Sequence, residues 1–264
     1  MAQIFAVTNQ KGGVGKTTTS VNLAASLAAT KRKILMIDLD PQGNATMGCG
    51  VQKNELELTV YDLLTKKAAF EDIVVRAEHG HFDVLPANTD LVAAEVELLN
   101  EIGREHRLRI GLNEVRAHYD FIIIDCPPSL NILTVNALSA SDGVIIPMQC
   151  EYYALEGLAA LMTTIEQIRE TINPSLQISG ILRTMYDPRN SLTKDVSEEL
   201  EEYFGDQVYK VAIPRNVRLA EAPSHGMPAL YYDKSSRGAL AYLALAGEIV
   251  RRSKTSNKPE LVAV

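Results

Sequence analysis

The sequence has no tryptophan, only three cysteines and no long hydrophobic run. A membrane-spanning helix needs roughly 18–20 consecutive apolar residues, so we expect no span. Cys49, Cys126 and Cys150 lack the paired spacing of zinc, iron–sulfur and disulfide sites, which predicts reduced packing residues. His79 and His81 are close in sequence but do not by themselves predict a metal site. The chain enters a strand-like run without a charged leader, which predicts a cytoplasmic protein.

Positive charge is scarce in most of the chain. The formal net charge is −7, and the composition, 46% hydrophobic and 22% charged, is typical of a globular protein. Residues 205–264 are the exception, with nine basic and five acidic residues. A local basic patch can bind phosphate backbones even on an acidic protein. Composition alone nevertheless favours the simpler interpretation, a solvated face.

A glycine-rich segment lies where a strand turns into a helix. The apolar run 4–7 precedes it, and residues 19–27 follow it with helical apolar spacing. Glycines let backbone N–H groups approach an anion, and the helix N-terminus adds partial positive charge. Lys16 is placed to reach phosphates and the Thr17 hydroxyl to bind Mg²⁺. The predicted nucleotide-binding residues are Lys11, Gly12, Gly13, Val14, Gly15, Lys16, Thr17 and Thr18.

This segment departs from the ordinary P-loop pattern at its start. Gln10 occupies the position of the first glycine, and Lys11 adds a second lysine inside the loop. Two lysines are more than one nucleotide's own site needs. Lys11 could instead cross to a triphosphate held by a facing copy, which predicts a nucleotide-sandwich homodimer.

Two further apolar strands end in aspartate, as ligand sites of open α/β sheets require. Residues 34–38 lead into Asp38 and Asp40. We expect Asp38 to shape the magnesium shell or the loop, and Asp40 to orient the attacking water. Residues 121–124 lead into Asp125, the predicted magnesium-associated carboxylate, followed by a double proline that could sense the γ-phosphate. A turn-capping role for Asp38 and Asp40 is the alternative.

The rest of the chain alternates strands and helices, which predicts right-handed crossovers and a mainly parallel, doubly wound sheet covered on both faces. We expect central strands at 143–149 and 179–183, a helix at 154–172 and an acidic, solvated helix at 192–204.

The last strand is expected at 208–213. It opens into a loop in which Pro214, Arg215 and Asn216 could frame an adenine ring. A final helix is expected at 236–252. The economical division is one domain, 1–252, followed by a polar tail, 253–264, expected to be mobile.

The chain resembles the ParA/Soj family of partition ATPases, with MinD as a more distant relative in the same deviant-Walker group. Five motifs carry the resemblance: KGGVGKTT at 11–18, DLDPQGN at 38–44, IDCPPS at 124–129, EYYALEG at 151–157 and IPRNVR at 213–218. The fold that it implies is an α/β single-domain P-loop NTPase.

The resemblance also implies a cycle. ATP would drive a sandwich dimer that binds DNA without sequence preference on the nucleoid, and a ParB-like centromere-binding protein would stimulate hydrolysis and release. The implied catalytic residues are Lys11, Lys16 and Asp40, and the metal-associated residues are Thr17, Asp40 and Asp125, the two carboxylates through water. Arg189 and Arg218 fall at DNA-contacting positions of the family, although Pro188 departs from its pattern beside Arg189.

Three other functions are alternatives to the partition ATPase. A membrane-associated MinD-like ATPase would need an amphipathic tail, whereas residues 254–259 are polar and interrupted by Pro259. A reductase similar to nitrogenase iron protein would need bridging cysteines. A scaffold that binds ATP with little turnover stays open, because Asp40 could be a weak catalyst.

Overall fold

The sheet organises the whole molecule, as the strand–helix alternation predicts. The computed structural model describes residues 2–256, with side chains described for residues 2–254. Seven strands form one sheet in the order β3-β4-β2-β5-β1-β6-β7. All neighbours are parallel except β3 and β4. The strands are β1 Gln3–Val7, β2 Ile34–Asp38, β3 Val75–Arg76, β4 Asp83–Leu85, β5 Phe121–Asp125, β6 Gly143–Gln149 and β7 Gln177–Thr184.

Helices cover both faces of this sheet. In chain order the α-helices of the described residues are α1 Lys16–Ala29, α2 Asn44–Gly48, α3 Val60–Leu64, α4 Phe70–Ile73, α5 Leu91–Glu97, α6 Arg107–Leu112, α7 Ile132–Ala140, α8 Ala154–Thr171, α9 Ser191–Phe204, α10 Val217–Glu221, α11 Ala229–Tyr232 and α12 Arg237–Ser256. Short 3₁₀ turns occupy Lys53–Glu55, Leu98–Asn100, Arg104–His106, Arg116–His118, Gly205–Gln207 and Ala222–His225.

The core has two layers because successive strand residues point to opposite faces. In β1, Ile4 and Ala6 pack into one buried cluster with residues of α5, α7 and α8. Phe5 and Val7 pack into the other, which includes residues of α1 and α12. The α/β, doubly wound fold is therefore confirmed. The three cysteines are free and buried, in agreement with their predicted packing role.

The register of the central strands sets the position of the site. Val7 of β1 and Asp38 of β2 both pair with Asp125 of β5. Parallel strands end at the same edge, so the loops after β1, β2 and β5 converge there. The glycine-rich segment and both aspartate segments are thereby brought together.

The prediction of a last strand at 208–213 is wrong. Only single bridges join Val208 to Ile181 and Pro214 to Tyr186. The backbone N–H groups of Lys210 and Val211 donate instead to the Glu248 carboxylate of α12, at 3.1 and 3.2 Å. Because these donors are satisfied by a side chain, no ladder forms.

Two further predictions need correction. The strand expected at 179–183 is β7, which is an edge strand of the sheet rather than a central one. The final helix continues to Ser256, so the first four residues of the predicted tail are helical, and 257–264 lie outside the described residues. None of the described helices has the length and apolar character that crossing a membrane requires.

Candidate nucleotide site

The glycine-rich loop joins β1 to α1. Gly13 and Gly15 adopt φ values of 74° and 87°, in the left-handed region that favours glycine. The loop is tied to the sheet, because the Thr184 hydroxyl at the end of β7 donates to the Val14 carbonyl at 2.8 Å. Helix α1 begins directly at Lys16, so its free N–H groups lie at the loop.

Lys16 lies across this loop and is only 7% exposed. Its ammonium donates to the Lys11 carbonyl at 3.2 Å. Burial lowers the pKa of Lys16, and the nearby charge of Asp125 opposes that shift. A buried cation with one carbonyl partner has donors left for an anion, since an ammonium carries three N–H bonds.

Thr17 and Asp125 meet at the adjacent strand end. The Thr17 hydroxyl donates to Asp125 Oδ2 at 2.8 Å, and the Ser20 hydroxyl donates to Asp125 Oδ1 at 2.8 Å. Burial raises the pKa of Asp125, and the charge of Asp38 raises it further. Hydroxyl and carboxylate oxygens are the hard donors that suit Mg²⁺, so these residues fit that ion. The sequence did not single out Ser20, whose only signal is its position one helical turn after Lys16.

Asp38 and Asp40 differ in environment although they are two residues apart. Asp38 is fully buried and accepts the backbone N–H and the hydroxyl of Thr46, both at 2.8 Å. It also accepts the N–H of Asp40 at 3.0 Å, so it shapes the loop, one of its two expected roles. Burial raises the pKa of Asp38. Asp40 is partly exposed and accepts only from the Gln42 N–H in the described residues, which leaves a carboxylate oxygen free beside Lys16.

Lys11 turns away from its own loop. Its ammonium lies 2.6 Å from Glu151 Oε2, just beyond the end of β6, and both side chains are about half exposed, 45% and 51%. The structure thus places Lys11 on the surface of the site. The partner Glu151 was missed as a functional candidate, although it begins one of the five sequence motifs.

The segment after residue 213 lies beside the loop that follows β7. The Arg215 N–H donates to the Tyr186 carbonyl at 3.4 Å. Asn216 caps α10 by accepting the Arg218 N–H at 3.0 Å, so its side-chain oxygen is engaged. An adenine-framing role for Pro214, Arg215 and Asn216 stays a prediction.

The two arginines expected to contact DNA are both paired with carboxylates. Arg189, 89% exposed at its side chain, forms two hydrogen bonds with Asp187, at 2.9 and 2.7 Å. Arg218 lies 2.7 Å from Glu221 and 3.4 Å from Asp233. Any anion that bound these guanidinium groups would have to compete with their present partners.

A glycine-rich loop between β1 and α1, a buried lysine over it and a threonine–aspartate pair at its edge define a P-loop nucleotide-binding protein. The family model described as "AAA domain" matches residues 2–178. The sporulation initiation inhibitor protein Soj of Bacillus subtilis is 55% identical over 94% of this chain and 98% of its own. The chromosome partitioning protein ParA of Caulobacter vibrioides is 49% identical, over 96% and 95%. The chain therefore belongs to the ParA/Soj family of partition ATPases.

A solved structure supports the same class. Cobyrinic acid a,c-diamide synthase from Mycobacterium smegmatis, with a bound ATP analogue and magnesium, superposes with a TM-score of 0.85. It is 36% identical and covers 98% of both chains. A protein of this fold therefore holds a magnesium nucleotide.

Proposed function

We propose that this protein is an ATP-hydrolysing switch for chromosome or plasmid partition. The observation that carries the proposal is the position of Lys11, which points out of its own phosphate loop to the exposed surface of the site. An amine so placed is available to a triphosphate on a facing copy. Kinship with Soj and ParA supports the partition role.

Different residues of one chain have different roles in hydrolysis. Lys16 and the loop N–H groups would bind the phosphates. Thr17 and, through water, Asp125 would hold Mg²⁺, which would offset charge on the phosphate oxygens. Asp40 has an unengaged carboxylate oxygen to accept a hydrogen bond from the attacking water. Lys11 of a second copy adds positive charge where negative charge develops.

We assign DNA binding to the two arginines that are paired with carboxylates in the single chain. Arg189 and Arg218 would exchange Asp187 and Glu221 for backbone phosphates. Contacts of this kind carry no sequence information and weaken steeply with salt. A ParB-like protein that stimulates hydrolysis would end the dimeric, DNA-bound state on the nucleoid.

The test measures mass by light scattering and retention on duplex DNA in the same samples. With a non-hydrolysable ATP analogue and Mg²⁺, the wild type should be dimeric and retained; with ADP it should be monomeric and released. Lys11→Ala should stay monomeric with the analogue, whereas Lys194→Ala, an exposed lysine on α9, should behave as wild type. Arg218→Ala should dimerise but lose retention, whereas Arg169→Ala should keep both.

The sandwich dimer and the DNA contact are tested independently of each other. A wild-type protein that stays monomeric with the analogue would contradict the sandwich dimer. Unchanged retention of Arg218→Ala at moderate salt would place the DNA contact elsewhere while leaving the dimer intact.

A further inference from the structure

A second concave site lies at the opposite edge of the sheet from the nucleotide loops. Its cavity measures about 620 Å³ and is bounded by the end of α1 and the amino ends of parallel strands, where Ile34 begins β2, Asp83 begins β4 and Tyr119 precedes β5. A five-residue strand spans roughly 17 Å, so this cleft is separate from the loop after β1. None of the motifs that relate the chain to its family lies here.

The lining of the cleft is basic although the whole chain is acidic. Six of its residues are Lys31, Arg32, Lys33, Arg76, His81 and His118, against one carboxylate, Asp83. The net charge of the chain is −7 with histidine counted as neutral, so the positive charge of the two lysines and two arginines is a local concentration. An added anion can pair only with those charges that the protein itself leaves unneutralised.

The two arginines are paired and the two lysines are not. Arg76 lies 2.6 Å from Asp83, which also accepts the Tyr119 hydroxyl at 2.9 Å. Arg32 lies 3.6 Å from Asp120, which is not among the residues that line the cleft. Among the described residues, the ammonium groups of Lys31 and Lys33 have no hydrogen-bonding or ion-pair partner. The cleft therefore holds two uncompensated positive charges.

The backbone supplies an independent indication. Lys31 and His81 adopt φ values of 63° and 55°, in the left-handed region where glycine is favoured. Among the described residues only Lys66 and Met185 share this feature without being glycine. Two of these four positions thus contribute basic residues to the lining of one cleft. Non-glycine residues in this region cluster at functional sites. Lys31 also follows the C-cap of α1, where a left-handed residue commonly ends a helix, so His81 carries more of this argument.

We propose that this cleft binds a compact anion carrying two or more phosphate groups, at a site distinct from the nucleotide site. Lys31 and Lys33 supply the unpaired charge, and His81 and His118 supply ring N–H donors at the rim. The volume lies within the range of small-molecule sites. A concave cleft of this size favours a small polyphosphate over the extended backbone of a nucleic acid.

The experiment isolates this site by filling the first one. Protein saturated with a non-hydrolysable ATP analogue, with Mg²⁺ in excess, is titrated with tripolyphosphate by calorimetry at low salt. The wild type should bind one further anion per chain. Lys33→Gln should weaken that binding by about tenfold, the effect of losing one charged contact. Its basal ATPase activity should be unchanged.

Lys31→Gly separates a binding role from a structural one. Glycine removes the ammonium and relieves the strain, so this variant should melt at a higher temperature and bind the anion about tenfold more weakly. Lys66→Gly is the matched control, since Lys66 has φ 60° at the end of α3, outside the cleft. It should also melt higher but bind tripolyphosphate as wild type does.

Two results would overturn the proposal. One is tripolyphosphate binding that neither Lys31→Gly nor Lys33→Gln changes. The other is a short DNA duplex that displaces tripolyphosphate from the wild type and loses its own affinity in the same variants, since the cleft would then be a nucleic-acid contact.

Discussion

At the scale of single residues, Asp125 places a fully buried carboxyl group in the site. Its oxygens receive two hydroxyl donors, from Thr17 and Ser20, but burial and the neighbouring Asp38 both raise its pKa. A carboxyl group whose pKa is raised by folding stabilises the protein below its usual pKa. That contribution is lost as the pH rises through the raised pKa.

The direction of this pKa shift predicts how the stability of Asp125→Asn depends on pH without nucleotide or Mg²⁺. At about pH 8 the variant should melt at a higher temperature than wild type, because the buried charge is gone, and the difference should shrink towards about pH 4. The measurement is thermal unfolding across pH in a chelating buffer. With Mg²⁺ and the ATP analogue the order should reverse, because the variant cannot support the ion.

Asp142→Asn is the control, because Asp142 is ion-paired with Arg116 and accepts the Ile4 N–H at 2.8 Å. It should melt below wild type at about pH 8. An Asp125→Asn variant that also melts at a lower temperature at that pH would contradict this prediction. It would show that the carboxylate stabilises the site even without a bound ion.

At the scale of elements, Arg183 explains why residues 208–213 are not a strand. Its side chain, 7% exposed, extends from β7 to the Tyr209 carbonyl at 2.9 Å and the Lys210 carbonyl at 3.4 Å. It also contacts Ser197 and Glu201 on α9. Glu201 lies on the exposed face that was expected for α9, and from there it also pairs with this arginine.

Local sequence therefore predicts some elements and not others. The strands that end in Asp38 and Asp125 were predictable, because an apolar run and its terminal carboxylate are covalent neighbours. The segment 208–213 is also mostly apolar, but its middle residues bond to the side chains of Glu248 and Arg183, which only the folded chain brings near. Ser20 and Glu151 were not predicted as site residues for the same reason, because only the folded chain brings them to their partners, Asp125 and Lys11.

Arg183→Met should lower the free energy of unfolding by about 2–4 kcal/mol, because two carbonyls and a carboxylate lose a buried cation. Chemical denaturation measures the change. Glu201→Gln is the control: Glu201 is 55% exposed, so its loss should cost under about 1 kcal/mol. Equal losses of unfolding free energy in the two variants would contradict this. The stability that Arg183 provides would then come from its ion pair with Glu201 and not from its hydrogen bonds to carbonyls 209 and 210.

At the scale of the whole molecule, the two edges of the sheet carry different groups of residues. The carboxyl edge collects the phosphate loop, the aspartates and Lys11, while the amino edge carries the basic cleft. In the single chain, Lys11 is held by Glu151, 140 residues away in sequence. A second copy that recruits Lys11 to its own triphosphate must first break this pair, so the pair opposes assembly.

Glu151→Gln should therefore favour the dimer that we propose. Because both side chains are about half exposed, each pair is worth under about 1 kcal/mol. A symmetric dimer breaks one pair in each copy, which limits the gain in dimer affinity to about thirtyfold. Sedimentation at several protein concentrations, with the non-hydrolysable analogue and Mg²⁺, measures that affinity. Glu156→Gln, an exposed carboxylate on the first turn of α8, is the control and should leave it unchanged. A weaker dimer in Glu151→Gln would mean that Glu151 itself contacts the facing copy, and that the pair with Lys11 persists or re-forms across the interface.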